Sequence, residues 1–327
     1  MTFGGGDLRG LKVIITGGGG FIGANLAGRL AAEGASVLAL LRPSGDASRL
    51  EGLGPHVRWT RLDLADTDAL RAVVLKAQAD VAFHLAVRTR RDGLDEASDA
   101  IDTLRTDLAA LFSVIEALKA RPPRMMIRTG SLAEYGDGTA PAREDQRERP
   151  LDPYAAALVA AAAFTGALAP SLPYPLVTAR LALVYGPGQS EAFLMSRILS
   201  ALLEDRPVHI RHPAARRDLL HVDDAVEALV RLIRIPQPPG ALLNFGSNAA
   251  PTMREAALTA VAATGARAGL VTYGPPGSAG SPACLLCDSS LAAERLGWRA
   301  RHALPEGLRR TVAALREQRR EQPGVPA

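Results

Sequence analysis

Two kinds of apolar spacing alternate along the first half of this chain. Short apolar runs at residues 12–16, 36–41, 57–62, 81–85, 125–129 and 176–183 have the length and the bounding residues of buried strands. Between them apolar positions recur at helical spacing, from about residue 67, over 107–120 and over 154–168. Strand and helix taking turns in this way predict βαβ units around a parallel sheet. Beyond residue 186 the alternation loosens and proline and glycine become more frequent, which predicts a smaller lobe. No internal repeat or low-complexity tract interrupts the chain. Ligands in open α/β sheets bind beyond the carboxyl ends of the strands, so candidate chemistry is sought there.

The first strand stops at Thr16, and glycines follow at Gly17, Gly20 and Gly23 before a helical pattern begins. In this setting the three glycines serve the tight turn, the close approach of backbone to a pyrophosphate, and close helix–strand packing. The amides and positive end of the helix then receive phosphate. A dinucleotide site is the expected reading, with a plain turn as its alternative. The fold class predicted is therefore α/β, a Rossmann-type doubly wound parallel sheet with a smaller C-terminal α/β substrate lobe. Residues 1–180 with about 218–245 make the dinucleotide-binding domain, and about 181–217 with 246–327 make the lobe.

Composition narrows the picture. The 327 residues are 47% hydrophobic and 22% charged, as in an ordinary globular protein with a sizeable core. No charged-then-apolar signal segment opens the chain, and the alanine-rich stretch 155–169 reads as too short for a bilayer, so a cytoplasmic protein without membrane contact is expected. Net charge is +4, with Lys12, Lys76 and Lys119 the only lysines and arginine supplying the rest. The basic residues are scattered and lack interleaved aromatics, which argues against nucleic acid. Local clusters (Arg88, Arg90 and Arg91; Arg211, Arg216 and Arg217) suit an anionic small molecule. Cys284 and Cys287 have CxxC spacing without a partner pair. Two thiols on one apolar strand are expected there, and no metal centre.

The residues carry a resemblance to a known family. Thr16 to Gly23, Leu62-Asp63-Leu64, His84-Leu85-Ala86, Ser131 to Gly136, Pro153-Tyr154, Tyr185-Gly186-Pro187-Gly188, the block from Arg217 to Asp224, Asn244-Phe245-Gly246 and Leu296-Gly297-Trp298 follow one another in its order. The chain resembles the extended short-chain dehydrogenase/reductases, the NAD-dependent epimerase/dehydratase group, and its C-terminal half is most similar to bacterial nucleotide-deoxysugar 4-ketoreductases. The resemblance implies that Gly17, Gly20, Phe21, Ile22 and Gly23 hold a pyrophosphate, that Asp63 and Leu64 flank adenine, and that Leu85 and Ala86 lie beside a ribose. A helix cap is the alternative for Asp63. Leu41 stands where an acid would bond a ribose 2′-hydroxyl, and Arg42 with Ser44 follows. An arginine there grips a 2′-phosphate, so NADP(H) is expected over NAD(H), with a solvated surface arginine as the alternative.

The same resemblance assigns proton transfer to Ser131 and Tyr154, but position 158, where the family carries lysine, is Leu158. No shift of alignment repairs this, because no lysine follows Lys119. The expected asparagine of the preceding helix is replaced by Asp107. A phenol without a nearby ammonium, with pKa about 10, is a usable acid and a poor base. Ketone reduction needs the acid; alcohol oxidation needs the base. Arg128, at the end of the fifth strand, is a candidate source of positive field near Ser131, with a structural arginine as the alternative.

The dehydratase reading is disfavoured, since Leu132 and Ala133 replace its Asp-Glu pair and Glu134 falls one place late. Glu134 remains a candidate at the substrate, against a structural role. Arg217 and Arg88 are candidates for anionic substrate groups, although Arg217 has an ion pair with Asp218 or Asp223 as its alternative. Both charged residues of the family's Arg-Pro-Gly-Asp stretch are lost at 275–278. The expected activity is NADP(H)-dependent reduction of a carbonyl on a nucleotide-linked deoxysugar or a related natural-product intermediate. Epimerase, isomerase or lyase chemistry with unconsumed cofactor, or a cofactor-binding protein without turnover, are the alternatives. A homodimer through the helices at 107–120 and 154–168 is expected.

Overall fold

The computed structural model describes residues 8–88, 96–275 and 283–321. The first half runs β1 (Lys12–Thr16), α1 (Phe21–Ala32), β2 (Ser36–Leu41), β3 (Val57–Arg61), α2 (Thr67–Ala77) and β4 (Val81–His84). Then come α3 (Glu96–Thr103), α4 (Ala109–Lys119), β5 (Met125–Ser131), α5 (Pro153–Leu168), β6 (Leu176–Leu181) and β7 (Leu183–Tyr185). The second half adds α6 (Leu194–Leu203), β8 (Val208–Ile210), β9 (Arg216–Arg217), β10 (Leu219–His221), α7 (Val222–Arg234) and β11 (Leu242–Phe245). It closes with α8 (Met253–Thr264), β12 (Val271–Tyr273), β13 (Cys284–Leu285), α9 (Ser290–Leu296) and α10 (Leu304–Glu321).

Seven strands form one parallel sheet in the order β11-β6-β5-β4-β1-β2-β3. Successive residues of a strand face opposite sides, and here both sides are covered. Ile15, Phe83, Ile127 and Val177 pack with Leu26 and Leu30 of α1 and Leu229 and Leu232 of α7. Their neighbours Ile14, Ala82, Met126 and Leu176 pack with Val74 of α2, Leu111 and Val114 of α4 and Ala161 of α5. This explains why the strands read as continuous apolar runs. Each fully buried side chain of this kind contributes roughly 1.5–3 kcal/mol. A separate cluster joins Ile198 and Leu202 of α6, Ile210 of β8, Ala256 and Ala260 of α8 and Leu308 of α10. It makes the lobe beyond the sheet, where β7 pairs with β10, β8 with β12 and β9 with β13.

Three expectations change. The run 176–183 breaks at Ala182, so β6 stays in the large sheet while β7 leaves it for β10. The helix expected from 107 is preceded by α3 and by a π-helical turn over Leu104–Leu108 that carries Asp107. The alanine-rich helix forms where it is expected, but a 3-10 turn over Ala169–Ser171 lengthens the apolar segment. The segment Pro153–Ser171 has 19 residues and a hydropathy of 1.4, long and apolar enough to cross a membrane by length and composition. In the fold, Ala155, Leu158, Ala161 and Thr165 on this helix are buried.

Candidate active site

The glycine-rich turn has the shape its sequence implies. Gly17 adopts a left-handed φ of 71°, and a Cβ on it would lie 2.8 Å from the backbone of Leu85 and Ala86. A Cβ on Gly23 would collide with the carbonyl oxygen of Gly17. Helix α1 therefore begins as close to the sheet as its backbone permits. Its first turn has neither an acidic residue nor a side-chain cap. First-turn amides without such partners, at the positive end of a helix, form an anion site. Gly17, Gly20, Phe21, Ile22 and Gly23 all line one cleft of about 1320 Å³, together with Arg42 and Leu85. Arg49 joins them by donating to the carbonyls of Gly188 at 3.0 Å and Gly19 at 3.5 Å. A pyrophosphate flanked by two arginines fits this cradle.

Ser131 and Tyr154 meet on the same cleft wall, although they come from separate elements. Strand β5 ends at Ser131, whose Oγ accepts from the amide of Ala133 at 3.2 Å and opens a short 3-10 turn. Asp152 accepts from the amide of Ala155 at 2.7 Å, and Pro153 takes the first helical position. That cap fixes the start of α5 and delivers Tyr154 on its first turn, on the same cleft wall as Ser131. Burial pushes the phenol well above its ordinary pKa, and Glu134, Asp152 and Asp107 push it further. The hydroxyl is thus protonated at neutral pH. One turn along α5, Leu158 also borders the cleft. Below it lies Arg128, only 1% exposed.

The opposite wall belongs to the lobe. Arg197 of α6, Arg206, Arg211 and Arg217 line it, with His209 between them. Arg217 is buried and donates to its neighbour's carbonyl, Arg216 O, at 2.7 Å. Asp218 is occupied by Ser247 at 2.6 Å, and Asp223 lies 3.4 Å from Arg310. The cleft thus carries cationic groups at both ends and a phenol–hydroxyl pair between them. Sequence motifs gave no sign of Arg49, Arg197, Arg206 or His209, because no local pattern marks a residue that reaches a cleft from an ordinary helix or loop.

Several sequence candidates lie elsewhere. Glu134 is fully buried in the core, since the chain turns after Ser131 and strand alternation no longer applies. One of its oxygens accepts from the amide of Ser131 at 2.8 Å, and the other pairs with Arg180 at 2.7 Å. The substrate role assigned to Glu134 is therefore replaced by a structural one. Arg88 leaves the cleft wall for Asp102, 3.3 Å away. Asp63 accepts from the amide of Ala65 at 3.0 Å in a local turn, and the cap of α2 is Asp66. Leu64 packs against the α2–α4 face of the core. Ser44 is exposed, and neither it nor Ala86 is part of the cleft wall. Cys284 and Cys287 are unpaired thiols in different settings: Cys284 opens β13, while buried Cys287 lies 3.7 Å from Asp218.

Comparison with known proteins shows the family of the chain. The model of the NAD dependent epimerase/dehydratase family matches residues 13–246. The chain belongs to this family. It is 30% identical over 317 residues to a UDP-glucose 4-epimerase of Mycolicibacterium smegmatis, covering 94% of this chain and 99% of that protein. A probable dTDP-glucose 4,6-dehydratase of Sinorhizobium fredii is 26% identical, over 92% of each chain. Among solved structures, MoeE5 in complex with UDP-glucuronic acid and NAD superposes with a TM-score of 0.82 at 28% identity, covering 94% of this chain and 99% of that one. The protein is thus an NAD(P)-dependent enzyme of the extended short-chain dehydrogenase/reductase type.

Proposed function

We propose that this enzyme is an NADP(H)-dependent ketoreductase acting on a nucleotide-linked deoxysugar. The observation that carries the reading is the state of Tyr154: a phenol held protonated by burial and three carboxylates, beside Ser131 on the cleft wall. Such a group is present as the acid at neutral pH and has no vacancy for a proton, so it can act as donor in ketone reduction but not as the base that alcohol oxidation needs. A bound nicotinamide dinucleotide supplies the hydride. Gly17, Gly20, Phe21, Ile22 and Gly23 would hold its pyrophosphate and Leu85 would lie beside a ribose. Arg42, with Arg49 close by, would receive a 2′-phosphate.

Tyr154 gives its phenolic proton to the ketone oxygen as the carbonyl carbon is reduced, and Ser131 bonds the same oxygen. The phenolate left behind recovers its proton from solvent. Arg197, Arg206, Arg211 and Arg217 neutralise the substrate's diphosphate, whose charge suits guanidinium forks. Exposed Ile101, Leu104 and Phe164, on the α3–α5 side, are the surface for a twofold partner.

NADPH absorbance followed with 4-keto-6-deoxy nucleotide sugars tests the activity. Reduction consumes one cofactor per sugar converted. A second reading, an epimerase that regenerates its cofactor, is favoured by the 30% identity to a UDP-glucose 4-epimerase. Isomerised sugar with no net loss of cofactor establishes that reading and overturns ours.

A further inference from the structure

Arg128 is an arginine in the wrong place for a merely structural one. It is 1% exposed, on the face of β5 that packs against α5. Its Nη1 donates to Thr178 Oγ1 and its Nη2 to the carbonyl oxygen of Leu158, each at 3.4 Å. Both acceptors are neutral and both bonds are long. Among the described residues no carboxylate lies within ion-pair distance of it. Glu134, the acid whose field it feels most, already pairs with Arg180 and the amide of Ser131. A buried charge without a partner is costly, and a fold normally removes it or uses it.

The surroundings say what it is used for. Arg128, Tyr154, Leu158, Asp107 and His84 border one small cavity of about 20 Å³, room for a single water molecule. His84 offers no competing charge: burial and the Arg128 guanidinium push it down to about 3, so it is neutral while bonded to Thr16 at 2.9 Å. Arg128 itself is lowered only to about 10, by burial, and keeps its proton at neutral pH. Arg128 feels the field of Tyr154 across this cavity, while Glu134, Asp152 and Asp107 disfavour ionisation of the phenol. Arg180 on β6 is the other cation near Arg128. From α5 comes no charge at all, since Leu158, one turn beyond Tyr154, is apolar and buried.

We infer that Arg128 is the positioning cation of the catalytic phenol: it reaches under α5 from β5 and steadies the phenolate left on Tyr154 after proton donation. The inference rests on the assignment of Tyr154 as proton donor, and it moves the site's positive charge from the helix to the strand. An opposite charge within about 4–6 Å shifts an ionisation by roughly one to three pH units.

The test is built to fail separately from the ketoreductase reading. A fluorinated tyrosine placed at position 154, more acidic than tyrosine, brings the ionisation within reach of 19F NMR on the full chain without substrate. Arg128→Met is expected to raise that ionisation by at least one pH unit. Arg128→Lys is expected to hold it near the parent value, and Arg128→Gln, which keeps a donor for the Leu158 carbonyl, to raise it like Met. The Gln variant also serves should the Met variant fold poorly. An ionisation unmoved in the folded Met or Gln variant overturns the inference, as does a Lys variant that behaves like Gln. These results do not depend on any turnover. Where turnover is measured, loss of Arg128 lowers kcat at least tenfold with KM little changed; a fall confined to thermal stability assigns a structural role and contradicts the proposal.

Discussion

Two arginines lie buried on neighbouring strands, and their surroundings differ completely. Arg180, on β6, is 0% exposed. It pairs with Glu134 at 2.7 Å and Glu148 at 2.6 Å, and it lies over the Tyr135 ring at 4.6 Å. Gly130, opposite it on β5, has no side chain to obstruct the Arg180–Glu134 pair. Its two carboxylates push its pKa up in spite of burial. Arg128, on β5, is equally buried but has neutral acceptors, and burial pulls it down to about 10. The first is a charge neutralised where it sits, tying the Ser131 turn to β6. The second is a charge left facing the small cavity it shares with Tyr154. Burial alone does not separate a structural ion from a functional one; the partners do.

The largest effect should come from Tyr154→Phe, which removes the proton donor and leaves both arginines in place. Positioned acid catalysis contributes roughly 10²–10⁴-fold, so kcat for NADPH consumption should fall by about that factor while the urea midpoint stays within error. The two arginines then separate on stability. Arg180→Met strands Glu134 as an unpaired buried carboxylate, and breaking such a pair costs about 3–5 kcal/mol. Arg128→Met replaces an unpaired charge with an apolar chain of similar length, and its unfolding free energy should lie within about 1 kcal/mol of the parent. Urea unfolding of both variants measures the contrast, and equal losses would erase it.

His84 supplies a smaller, pH-dependent effect on the Arg128 side. Its folded pKa is about 3 against an ordinary 6.5. A depressed folded value means that the stability is present above the unfolded pKa and drains away as pH falls below it. Between pH 7 and pH 5 the unfolded chain gains a proton that the folded one refuses, a loss of about 2 kcal/mol. A His84→Gln variant, whatever its own stability, should lose that part of the slope when urea midpoints are compared at the two pH values. Smallest is Arg42→Ala, which should raise KM for NADPH about tenfold, near 1.4 kcal/mol, and leave KM for NADH unchanged. Equal effects on the two cofactors would remove Arg42 from the 2′-phosphate.

The contrast between the arginines also marks how far the sequence could be read. The turn from Gly17 to Gly23 is legible because its constraints are local: strand, glycines and helix are contiguous, and the collision at Gly23 involves a carbonyl six residues away. The meeting of Ser131 with Tyr154 is legible through resemblance, since both stand in recognisable settings. Glu134 reads as a substrate candidate only because it stands close after Ser131, whereas the capping turn that follows β5 redirects its side chain into the core. Its partner Glu148 comes from a stretch with no regular pattern, so the closed ion cluster around Arg180 was invisible. The cleft arginines 197 and 206 are set by tertiary packing of the lobe, which no short spacing encodes. Arg128 stands out in the sequence by its place at the end of the fifth strand, but only the neutral character of its neighbours gives it a role.

The central claim, that Tyr154 works as a protonated phenol, is tested most directly by the pH dependence of NADPH consumption with a saturating 4-keto-6-deoxy nucleotide sugar. With the phenol held above its ordinary value of about 10, kcat should stay level from about pH 7 to about pH 10. A limb that falls with an apparent pKa near 7 and disappears in Tyr154→Phe would show a phenol already ionised at neutral pH, and would contradict the account.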